Sequence, residues 1–181
     1  MKSRVVLTIG AAVAVIAAIG LMALGLNLAG QKGKRPLVGS PAPDFSIGLY
    51  PGYTGGLSDK TRLSELRGRV VVINFWGSWC PECHVEAEAL QRVYARYRDR
   101  GVVFIGVDFL DTESKAYDYL AQYAITYANG LDVGQRIGSL YRITAAPETF
   151  VITPDGLVSA VIIGGTTEDD LSQKIDAALP P

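Results

Sequence analysis

Beyond residue 31 this chain of 181 residues has no methionine, a single histidine and only two cysteines. No cysteine precedes residue 80, which excludes a lipid-modified N-terminus of the bacterial lipoprotein kind. Surplus charge of either sign is also missing. The 17 Lys and Arg stand against 18 Asp and Glu, and downstream of Lys2 and Arg4 the balance is 15 basic to 18 acidic residues. A near-neutral, slightly acidic domain carries no electrostatic footprint for nucleic acid. Repeats and low-complexity tracts are absent, which excludes solenoid and linker-dominated architectures.

The scarce residues stand together in Cys80-Pro81-Glu82-Cys83-His84, which holds both cysteines and the only histidine. Read as C-x-x-C it is a dithiol redox site; read as C-x-x-C-H it is a c-type haem attachment point. On a helix this spacing puts both sulfurs on one face, within reach of one disulfide or of the two vinyl groups of one haem. A cysteine in the first turn meets unpaired N–H groups and the positive end of the helix dipole, which favour the thiolate. That assigns Cys80 as the attacking sulfur and Cys83, one turn deeper, as the resolving thiol. A purely structural staple is the weaker reading, because a bridge across two residues removes little chain entropy.

What precedes the pentapeptide favours redox chemistry. Val70 to Trp76 is a continuous apolar run, the pattern of a strand buried on both faces. A turn at Gly77-Ser78 and then Trp79 lead into a helix to about Arg100. Val85, Ala89, Val93 and Tyr97 recur there beside Leu90 and Tyr94, away from Arg92, Arg96, Arg98 and Asp99. The dithiol therefore sits at the carboxyl end of a strand and the amino end of a helix, where open α/β sheets place their sites. For haem, His84 supplies a proximal ligand, but a six-coordinate iron needs a distal methionine or histidine. Met1 and Met22 lie in the N-terminal segment, so only a five-coordinate haem survives as that alternative.

Val5 to Leu28 is uncharged, long enough to cross about 30 Å of hydrocarbon, and longer than the core of a cleavable signal. Residues 1–31 are expected to be an uncleaved signal anchor and transmembrane helix, with cleavage near Ala23-Leu24-Gly25 as the competing view. Residues 32–43, rich in Gly, Pro and Ser, read as a linker, and 44–181 as one domain of ordinary size. An anchor joined to a redox dithiol places the domain outside the cytoplasm, on a single-pass protein of the cell membrane. Asp44 to Leu49 reads as an edge strand, Tyr50 to Lys60 as its loop and Leu63 to Leu66 as a helical turn. Val102 to Asp108 is a second buried strand, and helices follow over Thr112 to Tyr123 and Gly134 to Tyr141. A hairpin, Glu148 to Thr153 and Leu157 to Ile163, turns at Pro154-Asp155-Gly156, and Thr167 caps a last helix through Leu179. The sum is a three-layer α/β/α domain around a mixed sheet.

Three separated motifs carry a resemblance: Ala42-Pro43-Asp44-Phe45, Asn74 through Cys83, and Ala146-Pro147-Glu148-Thr149-Phe150. Over about residues 38 to 180 the chain resembles the membrane-anchored extracytoplasmic thioredoxins of the TlpA, ResA and CcmG/DsbE type. The resemblance implies a thioredoxin fold, a cis peptide before Pro147 beside the dithiol, and reduction of disulfides in apocytochrome c during its maturation. It implies a membrane thiol reductase as electron donor, a monomer, and no cofactor or metal beyond the redox-active Cys80–Cys83 disulfide. Trp79, Glu86, Ala146, Pro147 and Glu148 are the supporting residues it points to. A carboxylate near a thiolate stabilises the disulfide relative to the dithiol, so Glu86, with Glu82 and Glu148, pushes toward a reducing pair. Ala146, before a proline that lacks an N–H, offers its backbone to an extended substrate. Two positions depart from the pattern. Asn74 replaces the buried aspartate of general thioredoxins, and His84 stands where Lys or Arg is frequent. A general extracytoplasmic disulfide reductase or oxidase is the nearest rival function. A peroxidase of the peroxiredoxin kind would need Thr or Ser three residues before its cysteine, where this chain has Gly77.

Overall fold

Six residues in a row without one exposed side chain need cover on both faces, and β3 (Val71–Trp76) has it. The structure is a computed structural model that describes residues 35–180; the anchor expected over 1–31 and the first residues of the linker lie outside them. Beside β3 runs β4 (Val103–Asp108), parallel to it, and beyond that β5 (Ala128–Leu131), parallel again. On the other side β6 (Glu148–Ile152) and β7 (Val158–Ile163) form an antiparallel hairpin, giving the order β5-β4-β3-β6-β7. The hairpin turns where expected, with Gly156 at φ 78°. Outside the sheet, β1 (Ser46–Gly48) pairs with β2 (Lys60–Arg62) as a separate two-stranded ribbon rather than an edge of the main sheet.

Helices cover both faces. One face packs α1 (Pro81–Tyr97), α2 (Glu113–Gln122) and α4 (Glu168–Ala178) through Leu90, Val93, Ala116, Leu120, Leu171 and Ile175. The other packs the ribbon and α3 (Arg136–Tyr141) against Ile73, Phe75, Ile105 and Phe150. This is a thioredoxin-like α/β fold with a central mixed sheet. The buried stripe of α1 runs Cys83, Glu86, Ala87, Leu90, Val93, Tyr94 and Tyr97. Val85, expected in that stripe, is 84 % exposed. Spacing of four drifts about 40° per step against a 3.6-residue turn, so a row aligned at Tyr97 has left the core by Val85. Arg92, Arg96 and Arg100 reach carboxylates of α4, Glu168 and Asp176, from a largely solvated face.

The expected linker is already engaged from Arg35 onward. Gly39 N–H donates to Val158 O (2.8 Å), Ala42 N–H to Gly156 O (3.0 Å), and Arg35 pairs with Glu148. Among the described residues no helix is long and apolar enough to cross a membrane.

Candidate active site

Cys80 is the N-cap of α1. Its extended backbone (φ −94°, ψ 110°) and Pro81 in the first turn start the helix, and its Sγ accepts from Cys83 N–H at 3.1 Å. The two sulfurs are bonded as a disulfide with Cα atoms 5.3 Å apart. Cys80 is 2 % and Cys83 0 % exposed, so the difference in exposure expected between them is slight. Trp79 is the apolar side chain left open beside them, 48 % exposed, its indole donating to Phe109 O at 3.0 Å. Gly77 makes this possible: a Cβ there would stand 2.4 Å from Trp79 Nε1.

One turn beyond Cys83, Glu86 points into the same core, 2 % exposed. Its Oε1 accepts from Asn74 Nδ2 and its Oε2 from Thr166 N–H, each at 2.9 Å. Burial, helped by the charge of Glu82, pushes its pKa up to about 7 against the pull of those two hydrogen bonds. Asn74 Nδ2 also donates to Thr149 Oγ1 at 3.0 Å, tying β3 to β6 beneath the helix. Because strand side chains alternate, Thr149 shares the face of Asn74 and Glu86, and Glu148 turns to the opposite face with Phe150. The three acids expected to bias the thiols together are therefore split. Glu86 lies under the dithiol, Glu82 is exposed, and Glu148 is buried across the sheet in an ion pair with Arg35. Burial raises the Glu148 pKa, and Arg35 opposes that.

The Ala146–Pro147 bond is cis, and Ala146 packs against the cluster that contains both cysteines. Pro147 O accepts from Gly164 N–H at 3.0 Å, which seats β7 beside the loop. A second buried acid, Asp108 at the end of β4, accepts from Tyr50 O–H at 2.6 Å and has its pKa pushed to about 7, by burial first and by Asp111 second. Neither Asp108 nor Thr166 stands out in the sequence. An isolated Asp at a strand end resembles any turn residue, and Thr166 acts through its backbone. Among the described residues no group of three or more His, Cys, Asp and Glu is arranged to hold a metal ion.

Residues 38–161 match the model of the AhpC/TSA family. The chain belongs to that family. Within it the relatives are redox proteins. The thiol-disulfide oxidoreductase ResA of Bacillus thuringiensis is 31 % identical over 143 residues, covering 79 % of each chain. ResA of Bacillus subtilis is 26 % identical over 99 % of this chain and 96 % of its own. Among solved structures, a DsbE-type thiol:disulfide interchange protein from Chlorobium tepidum superposes with a TM-score of 0.68 at 28 % identity, covering 79 % of this chain and 98 % of that one. This AhpC/TSA member is thus of the ResA/DsbE type, as its three motifs imply, and it is a thiol-disulfide oxidoreductase. The peroxidase frame stays absent from it, since Gly77 occupies the position where that frame needs a hydroxyl and instead makes room for Trp79.

Proposed function

We propose that this protein reduces disulfides of apocytochrome c outside the cytoplasm, as a monomer held to the membrane by an anchor over residues 1–31 and a linker over 32–43. In the working cycle the Cys80 thiolate attacks one sulfur of the substrate disulfide, forming a mixed disulfide and releasing the other substrate sulfur as a thiolate. Cys83, deprotonated, then attacks Cys80 Sγ. The substrate leaves fully reduced, and the Cys80–Cys83 disulfide remains. A membrane thiol reductase returns two electrons and two protons to the pair. Trp79 and the backbone of Ala146, ahead of Pro147, receive the substrate segment.

The observation that carries the reductive direction is Glu86, a carboxyl buried on the dithiol's own helix with no cation beside it among the described residues. Its ionised form disfavours a thiolate nearby and so stabilises the disulfide over the dithiol, which makes the reduced pair a donor of electrons. Its protonation range, about 7, also suits it to take the proton that a thiol must lose to attack. Glu148, across the sheet, adds to the loop's position rather than to this field.

Trapping tests the reading. With Cys83→Ser, Cys80 is expected to hold an apocytochrome peptide oxidised across its own C-x-x-C-H as a stable mixed disulfide. No capture of that peptide, with other protein disulfides still captured, discards the substrate class. A potential near about −120 mV, the range of strong oxidants, favours a general oxidase instead.

A further inference from the structure

The one histidine takes no part in the exchange above, yet both of its ring nitrogens are engaged. Nε2 lies 2.8 Å from the Ser78 carbonyl oxygen and Nδ1 2.8 Å from the Tyr123 hydroxyl. A carbonyl oxygen only accepts, so the neutral ring carries its proton on Nε2 and accepts at Nδ1 from Tyr123 O–H. The Tyr123 oxygen in turn accepts from Gln122 Nε2 at 3.1 Å. Each hydrogen bond of this relay thus has one direction, and Tyr119 and Tyr123 flank the imidazole edge-on at 5.1 and 5.6 Å.

Ser78 belongs to the turn that delivers Trp79 and Cys80. The other ties of that turn are Ser78 N–H to Asp111 Oδ2 at 2.5 Å, the Trp79 indole to Phe109 O at 3.0 Å, and Cys80 N–H to Gly77 O at 3.0 Å. Two of these three pull the turn toward the loop after β4. The third joins it to the N-cap of α1, and His84 ties it deeper into α1 and, through Tyr123, to the end of α2.

We propose that His84 is a positioning residue for thiol-disulfide exchange: its Nε2–H, oriented by Tyr123, holds the Ser78 carbonyl and so fixes the Gly77–Trp79 turn that presents Cys80 to the substrate. The step gains because the attacking sulfur must meet the substrate disulfide in line, and small misplacement of a nucleophile costs rate. A lysine at 84 lacks both the planar donor and the acceptor that Tyr123 orients. The role holds for any protein disulfide, whether or not apocytochrome c is the natural substrate.

The test uses the full chain reducing insulin disulfides with dithiothreitol as the electron source. His84→Leu, which keeps bulk and loses the donor, is expected to lower kcat/KM about fivefold to tenfold, the size of one hydrogen bond, while His84→Gln, whose amide N–H reaches a similar place, stays within about twofold of the parent. The ultraviolet titration of the Cys80 thiolate in the reduced protein is expected to be the same in all three, because the imidazole acts on the turn and not on the sulfur. Nitrogen-15 spectra of the parent should show the Nε2–H tautomer. Tyr123→Phe, which releases Nδ1, should mix the tautomers and lower kcat/KM about twofold. Unchanged kinetics in His84→Leu, equal loss in His84→Gln, a thiolate titration that shifts enough to account for the loss, or an Nδ1–H tautomer each overturns the assignment. If His84→Leu does not fold, the parent's tautomer and the Tyr123→Phe rate decide the matter: Nδ1–H, or an unchanged rate, overturns it.

Discussion

Among the described residues Glu86 meets two hydrogen-bond donors and no cation, which is an uneasy setting for a charge. Ionised, it is served by Asn74 Nδ2 and Thr166 N–H; protonated, it needs an acceptor. Among the described residues Asn74 Oδ1 has no partner, so reversal of the Asn74 amide brings that oxygen to the carboxyl. Glu86→Gln exploits the same reversal: its carbonyl keeps the Thr166 N–H and its NH2 faces Asn74 Oδ1. The substitution is therefore expected to fold. It should raise the reduction potential of the dithiol by roughly 10–30 mV, since the charge that disfavours a thiolate is gone; equilibration with glutathione reads this, and a potential that stays put or falls contradicts the assigned field. Gly77 answers to a simpler constraint. Gly77→Ala places a Cβ where only 2.4 Å separates it from Trp79 Nε1, so the indole must give up its bond to Phe109 O. The expected signs are altered Trp79 fluorescence and a lower kcat/KM with insulin, at nearly unchanged thermal stability because Trp79 is half exposed.

At the level of elements, the loop over residues 50–60 gains the role that its sequence does not announce. It closes the open edge of β5: Tyr50 N–H donates to Asn129 O at 2.8 Å and Asn129 N–H to Tyr53 O at 2.9 Å, groups that would otherwise be left as an unpaired edge. The approach is close. Gly55 sits at φ 55°, and a Cβ there would be 2.6 Å from Ala128 N. Gly55→Ala is expected to cost about 1–3 kcal/mol from strain and displacement of the loop, measured as a lower urea midpoint; a midpoint equal to the parent's means that the loop does not seal β5. The same strand marks the limit of what the sequence makes legible. β3 and β4 are readable because β-branched and aromatic residues fill all but Asn74 of β3 and all but Gly106 and Asp108 of β4, and α1, the hairpin and the Thr167 cap are readable from caps, turns and period. β5 is Ala128-Asn129-Gly130-Leu131, with nothing β-branched in it. Its glycine is needed because a Cβ at Gly130 would come within 2.2 Å of Gly48 O, a long-range contact invisible along the chain. The dithiol, Glu86 and the Ala146-Pro147 pair are nameable from motifs. Thr166, which donates to Glu86, and Tyr123, which orients His84, are brought in by tertiary packing alone.

Across the whole molecule two buried carboxyls, Glu86 and Asp108, titrate near neutrality on the same side of the sheet, and their effects on stability add. Both are pushed up to about 7, from ordinary values of 4.5 and 3.8, with burial the main cause in each. A raised acid pKa means that the folded state keeps a proton the unfolded chain gives up. The resulting stabilisation is fully present below the unfolded values, erodes from about pH 4–5 upward, and is gone above about pH 7. Each group contributes on the order of 3 kcal/mol over that window. The urea midpoint of the disulfide form is therefore expected to fall from pH 5 to pH 8. In Asp108→Asn the fall should shrink by about half, since Tyr50 O–H still finds a side-chain carbonyl oxygen while the titrating proton is lost. Melts of the parent and Asp108→Asn across that range decide it. A midpoint that is flat or rises with pH in the parent would show that neither carboxyl is buried uncompensated, and with it the proton that Glu86 is asked to accept from an attacking thiol would lose its place.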